Sequence, residues 1–365
     1  MNMKRFTKVI PLCVIASLTS CNAREVSTKL TYFNNEAELI MPSEYNGLVK
    51  YIKDIFNQFE KYKDKNVLNQ ELMAKKAKND GTNNQYEFTS DYGLYELVKE
   101  AIYAHNDASN YSPFSDYLSG VWNEALDRKE KDPSSELQVP VSPEDTQDVF
   151  RAQTNARCGV LASGNIGIKY DAKHFIDVSN VIEGYILDQV YNYTRDKELS
   201  NLMVKASSSS MLVLNRDGHV RNITIDGPYG KPVTFTLSSD AFISVASIKD
   251  SATKIADNDL TYSRKYINYT DCAPYVKNDA IITVYYFRMG TNHTAGEDVA
   301  PGVQTCAYSA SMMFDTIDKL QRYEEKRNVS CIAFKNGGIA HCSNKLEVKY
   351  DGLCYGLGEP IDYVS

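Results

Sequence analysis

The sequence predicts an α+β protein, a single domain of sheets flanked by helices that follows an export signal and a short spacer. Three observations point there. The chain has 365 residues, 43% of them hydrophobic and 24% charged, as in a globular protein with a substantial core. Helical and strand patterns both occur: Leu48–Phe59 gathers Leu48, Ile52, Ile55, Phe56 and Phe59 on one helical face, and Ala280–Tyr286 (A-I-I-T-V-Y-Y) reads as a buried strand. Between them, Ile176–Asp188 (I-D-V-S-N-V-I-E-G-Y-I-L-D) changes period. It opens as a strand through Phe175, Ile176 and Val178, turns at Ser179 and Asn180, and continues as a helix through Ile182, Tyr185, Ile186, Gln189 and Val190, ending near Tyr193. Such a junction aims backbone N–H groups and a helix dipole at one spot, which suits a phosphate. An ordinary strand-to-helix connection has the same pattern.

From the N-terminus, residues 1–20 read as a lipoprotein signal peptide. Lys4, Arg5 and Lys8 precede the apolar run Val9–Leu18, which is too short to span a bilayer. The run ends in Leu18-Thr19-Ser20-Cys21, which resembles a bacterial lipobox, so Cys21 is expected to carry lipid and tether the chain to the extracytoplasmic face of the cell membrane. Removing the signal takes away those three cations and no acid, and the formal net charge moves from −7 to −10. That disfavours nucleic acid as a partner, and it leaves the anchoring to the lipid. Of eight cysteines, Cys13 lies in the signal and Cys21 directly follows it, and six remain: Cys158, Cys272, Cys306, Cys331, Cys342 and Cys354. An even number in an exported chain suggests up to three disulfides.

Residues 21–43 are polar without clear periodicity and read as a spacer; the domain is expected over 44–348, and 349–365 as a C-terminal tail. After the first helix, Lys61–Tyr86 reads as polar and partly loop. A second helix covers Tyr95–Ala104, with Leu94, Leu97, Val98, Ala101 and Ile102 buried. Phe114 and the sole tryptophan, Trp122, read as aromatic core. Ser142 is placed to cap a short acidic helix, and Cys158–Tyr170 reads as a hairpin. Leu202–Leu214 contains four serines that could line a polar cleft or equally mark a strand edge. Asp315–Arg327 reads as a helix and Val329–Ser343 as strand-turn-strand.

Taken in order, these segments resemble the ApbE-like family, the FAD:protein FMN transferases. Asp177, Gly184, Tyr185 and Asp188 stand at the places of D-L-G-G-I-A-K-G-Y-x-x-D, with Ile182 at the alanine, Ser179 and Asn180 at the glycines and Glu183 at the lysine. Phe114, Leu118 and Val121 match a segment like F-N-I-A-I-G-P-V-V-K-L-W. Ser207 and Ser208 replace the paired glycines of a later motif. Leu237, Val245, Ala246 and Asp250 match L-x-L-x-D-x-A-V-A-T-S-G-D, with Ser247 keeping a hydroxyl at the threonine. Lys265 replaces a histidine. In Thr305–Phe314, Ser311 aligns with the threonine of A-D-A-L-S-T-A-L-F, and Ala307 with its aspartate.

The resemblance implies an ApbE-like domain that binds FAD and Mg²⁺ and moves FMN onto a hydroxyl of an acceptor protein. It implies flavin contacts at Ser179, Asn180, Glu183, Tyr185, Ser207, Ser208 and Ser247. It places metal oxygens at Ser311 and the Ile182 carbonyl, with Ala307 lacking the expected carboxylate. Phosphoryl-type transfer relies on a hard cation held by oxygen ligands. Side chains at the former glycines crowd a pyrophosphate, and Glu183 brings like charge. Activity is therefore doubtful on this reading; the alternative is a catalytically inactive surface lipoprotein that uses the fold for binding or structure. The catalytic residue is unknown. Asp315 and Asp318 could supply a displaced carboxylate or simply form a solvated face. His105, His174, His219, His293 and His341 have no metal-ligand spacing. Cys158 and Cys306 read as disulfide cysteines before nucleophiles.

Overall fold

The computed structural model of the chain describes residues 25–32, 35–77, 84–134, 136–170, 175–195, 197, 199, 201–206, 209–216, 220–248, 252–255, 260–286 and 300–354. Cys21 and the rest of the signal lie outside these residues, as do Ser207, Ser208, Asp250, His174, His219 and His293. No described helix is long and apolar enough to cross a membrane.

The chain opens with a hairpin of β1 (Glu25–Tyr32) and β2 (Asn35–Pro42). Helices α1 (Leu48–Phe59) and α2 (Lys65–Ala74), strand β3 (Asn84–Phe88), and helices α3 (Tyr92–Tyr103), α4 (Ser119–Lys131) and α5 (Pro143–Asn155) follow. Next come β4 (Arg157–Val160), β5 (Ile166–Tyr170) and α6 (Ile182–Thr194). Four antiparallel neighbours lead on from it: β6 (Asn201–Ala206) with β7 (Ser210–Asn215), and β8 (Arg221–Asp226) with β9 (Pro232–Leu237). Then come β10 (Ala241–Ser247), β11 (Ala252–Ile255), β12 (Leu260–Ser263), β13 (Tyr275–Val276) and β14 (Ala280–Tyr286). Helices α7 (Pro301–Met312) and α8 (Ile317–Lys326) precede β15 (Val329–Lys335), β16 (Gly338–Cys342), β17 (Val348–Tyr350) and β18 (Leu353–Cys354).

Among the described residues, one sheet runs β1-β2-β6-β7-β10-β14-β15-β16-β18. Its central strands are buried on both faces, which is why β7, β10 and β14 read as nearly continuous apolar runs. Side chains alternate between the faces. Leu212, Phe242, Ile281 and Ala333 face a helical layer that includes Ile52, Phe56, Leu97, Ile186 and Val303. Val213, Ile243, Ile282, Ile332 and Phe334 face the small sheet β17-β9-β8 through Ile223, Val233 and Phe235. This is the expected α+β domain of sheets flanked by helices.

Four expectations are corrected. Residues 25–42 are no spacer: Leu30, Tyr32, Ala37, Leu39 and Met41 are buried, and β2 pairs with β6. The period-2 alternation of E-A-E-L-I-M is the signal for this strand. Lys61–Tyr86 is not mainly loop, because α2 buries Leu68, Asn69 and Leu72 and β3 pairs with β5. The tail enters the fold as far as Cys354, with β17 on β9 and β18 on β16. Phe175–Val178 is not a strand. Its backbone bonds go to a side chain and a loop: Asn69 brackets Ile176 at 3.0 and 2.7 Å, and Asp177 N–H donates to the Pro113 carbonyl at 2.9 Å.

The six cysteines after the signal are all free thiols, so the expected disulfides are not formed. Elsewhere local reading and structure agree. Leu48–Phe59 has the expected bounds, Cys158–Tyr170 is a hairpin, and Ser142 closes a capping box with Asp145 on α5.

Candidate functional site

Ser179 and Asn180 form the turn before α6. Asp177 fixes it by accepting the Ser179 N–H at 2.9 Å, an Asx-type turn. Both Val181 and Ile182 N–H groups donate to the Val178 carbonyl at 2.9 Å, so two amides that could face an anion are already used. Glu183, in the first turn of the helix, suits the helix dipole and repels a second negative charge there.

α6 crosses α7 at two glycines. A Cβ at Gly184 would lie 2.2 Å from the Gly302 carbonyl oxygen, and a Cβ at Gly302 would lie 2.3 Å from that of Gly184. No other residue allows this approach. Asp188, one turn along α6, accepts the Gly302 and Val303 N–H groups at 2.8 and 3.0 Å and so caps α7. Burial pushes its carboxyl well above the usual range, against the pull of those two donors.

The crossing and the central strands β7 and β10 border a cavity of about 310 Å³. Serines dominate its lining: Ser179, Ser209 and Ser210 at the β6–β7 turn, Ser244 on β10 and Ser309 on α7. Asn180, Cys306, Tyr266, Lys63, Glu183 and Lys265 supply its other functional groups. A clamp bridges this space. Lys63 Nζ lies 2.7 Å from Glu183 Oε1 and 2.7 Å from Glu60 Oε1, and Ser209 Oγ donates to Glu183 Oε2 at 2.5 Å. Burial works against the Lys63 charge, but the Glu183 and Glu60 carboxylates outweigh it and hold the ammonium above its ordinary value. Lys265 lies 5.0 Å over the Tyr266 ring, and Tyr266 and then Glu183 favour its charged form. Below the turn, Asn180 Nδ2 donates to buried Asp116 at 3.0 Å. Cys306 is buried with its thiol pushed up to about 11 by burial, which keeps it from acting as a thiolate. Cys158 is held similarly, at about 12.

Of the residues proposed from the sequence, Ser179, Asn180 and Glu183 meet in this cavity, together with Lys265. Tyr185 does not: it is core, donating to the Gly93 carbonyl at 2.9 Å and packing edge-on against Phe59. Ser247 sits at the end of β10, opposite Ala280, outside the cavity lining. Neither Ile182 nor Ser311 lines it. Ile182 is fully buried at the first position of α6, where its carbonyl serves the helix. Ser311 Oγ is buried and accepts the Asn110 N–H at 3.1 Å. Ala307 lies one helical turn before Ser311 and is fully buried. The α7 face toward the cavity is instead that of Cys306 and Ser309. Asp315 provides no displaced carboxylate here, because it is bound to Asn110 at 2.9 Å and borders a separate hollow with Asp107, Lys319 and Arg322.

Sequence reading missed Lys63, Ser244, Tyr266 and Ser309. Lys63 follows α1 in a short 3₁₀ turn, and nothing local marks it as facing α6.

The donor set fits neither group that the resemblance implies. Among the described residues Glu183 is the only carboxylate lining the cavity, and it is tied to Lys63 and Ser209. Mg²⁺ would have to displace an ammonium to reach it. A volume of about 310 Å³ lies at the small end for ligand pockets.

Comparison with solved structures places the fold. The flavin transferase ApbE from Vibrio cholerae is 14% identical over 90% of this chain and 97% of its own, with a TM-score of 0.57. The ApbE protein of Thermotoga maritima is 13% identical over 85% and 94%, with a TM-score of 0.59. The flavinyl transferase ApbE of Pseudomonas stutzeri, in its apo form, is 12% identical over 90% and 94%, also at 0.59. No family model and no curated protein matches the sequence. The chain therefore has the ApbE-like fold across nearly its whole described length.

Proposed function

We propose that this chain uses the ApbE-like fold as a lipid-tethered binding module for a compact polar ligand and does not transfer FMN. The observation that carries this is the Lys63–Glu183–Ser209 clamp across the cavity. It ties up Glu183, among the described residues the only carboxylate lining the cavity, while Ser179, Ser210, Ser244, Ser309 and Lys265 stand around a small volume outside the clamp. Those groups suit a hydroxyl-rich ligand with one anionic substituent.

The decisive experiment is incubation with FAD, Mg²⁺ and candidate acceptor proteins, read as in-gel flavin fluorescence, with equilibrium dialysis of FAD alongside. The expected result is no covalent flavin and no Mg²⁺-dependent FAD retention. Robust Mg²⁺-dependent labelling would overturn the reading and establish a flavin transferase with an altered site.

The tether belongs to the same proposal and rests on Leu18-Thr19-Ser20-Cys21 after the apolar run. Metabolic labelling with a radioactive fatty acid should mark the wild type and not Cys21→Ala. Equal labelling of both would remove the anchor and, with it, the extracytoplasmic membrane location.

A further inference from the structure

We infer that Glu324, Cys331 and His341 form a zinc-type site, remote from the cavity, that pins α8 to the β15–β16 hairpin. The three ligand atoms all lie within 4.8 Å of one another. Glu324 Oε1 is 3.4 Å from Cys331 Sγ and 3.3 Å from His341 Nε2. In a tetrahedral zinc centre the usual bond lengths put an oxygen–sulfur edge at about 3.5 Å and an oxygen–nitrogen edge at about 3.3 Å. Two edges of that tetrahedron are thus already in place.

The fold explains the convergence. His341 pairs with Ala333 across the β15–β16 ladder, so Cys331, two residues before Ala333, is its diagonal neighbour on the same sheet face. That face meets α8, which delivers Glu324 from its last turn. Ile332 and Cys342 pair directly and point to the opposite face, so Cys342 is excluded from the site although it is adjacent in sequence to His341. The Glu324 and His341 side chains are 12% and 10% exposed, so the group is not fully sealed from solvent.

The ligand types select the ion. One thiolate, one imidazole and one carboxylate favour Zn²⁺ over Mg²⁺ or Ca²⁺, which take oxygen donors. Binding releases the Cys331 thiol proton to solvent and uses neutral His341. Without the ion the same atoms make an ordinary hydrogen-bond cluster, in which Glu324 Oε1 also accepts the Cys331 N–H at 3.0 Å. A carboxylate oxygen crowded by three donors gains a single strong partner when the metal enters.

The test is a Co²⁺ titration of the full-length protein in detergent, reduced and free of chelator. A thiolate-to-cobalt charge-transfer band should grow to one equivalent, resist excess Mg²⁺ and be displaced by Zn²⁺. Cys331→Ser should abolish the band. His341→Asn and Glu324→Gln should each weaken binding by at least about tenfold, the lower end of what loss of a mere supporting partner costs a metal site. Cys342→Ser should leave it unchanged. If Cys331→Ser does not fold, the other two variants decide. No band in the wild type, an undiminished band in His341→Asn and Glu324→Gln, or a band lost in Cys342→Ser overturns the site.

Discussion

Register on a single helix decides what α7 offers the cavity. Cys306 and Ser309 face it, whereas Ala307 and Ser311 turn toward the core and Asn110. Restoring an aspartate at Ala307 therefore rebuilds no metal site. Ala307→Asp should bury an unpaired carboxyl and cost about 3–5 kcal/mol, measured by urea denaturation, with no gain in Mg²⁺-dependent flavin labelling. A gain in labelling would mean that position 307 reaches the cavity after all. Asp116 gives a pH signature. Burial first, and Asp177 second, hold its carboxyl well above the ordinary value of 3.8, while Asn180 pulls the other way. The native state thus binds this proton more tightly than the unfolded chain. The stability it contributes is complete below that ordinary value and is lost as pH rises through the native one. Asp116→Asn keeps a side-chain acceptor for Asn180 and does not titrate. Urea midpoints of the wild type should fall more steeply from about pH 4 upward than those of the variant. Parallel slopes would show that Asp116 is not the group responsible.

The α6–α7 crossing is the element pair that holds the site, since α6 brings Glu183 and α7 brings Cys306 and Ser309. Its closeness depends on Gly184 and Gly302, whose backbones touch. Gly302→Ala places a methyl group 2.3 Å from the Gly184 carbonyl and 2.9 Å from Asp188, so the helices must part. The cost should be about 3 kcal/mol or more, with loss of the Asp188 cap, visible as a lowered denaturation midpoint. A neutral substitution would mean that the helices can separate without disturbing the core. Asp188 and Gly302 are far apart in the chain, and only their meeting shows that Gly184 is a packing glycine. In the sequence Gly184 has the appearance of part of a phosphate-binding turn.

Across the molecule, the sheet is longer at both ends than the apolar patterns alone suggest. β1 and β2 complete one end, and Leu39 and Met41 fill the helical layer's core. Deleting residues 1–43 should therefore not yield a trimmed domain. It should expose the β6 edge and the core beneath Leu39, giving insoluble protein or an unfolding free energy several kcal/mol below that of the chain lacking only residues 1–24. Equal stability of the two truncations would return residues 25–43 to the status of a spacer.

The ApbE-like fold was legible only through the ordered resemblance of its motifs, while periodicity and turn chemistry in the sequence determined the helix Leu48–Phe59, the strand Ala280–Tyr286 and the Ser142 cap. These are local properties, set by which faces must leave water and which backbone groups need caps. The turn residues Ser179, Asn180 and Glu183 were legible as a candidate site through the resemblance to the family motif, since the same local pattern also fits an ordinary strand-to-helix connection. Tertiary structure alone decided that Lys63 and Ser209 clamp Glu183, that Ser311 turns away, and that Glu324, Cys331 and His341 converge. Each of these depends on how far-separated elements pack and on which face of a helix or strand meets its neighbour. A shift of one residue in helix register, or a diagonal across a bulged ladder, moves a side chain from core to cavity without changing the hydrophobic pattern that the sequence displays.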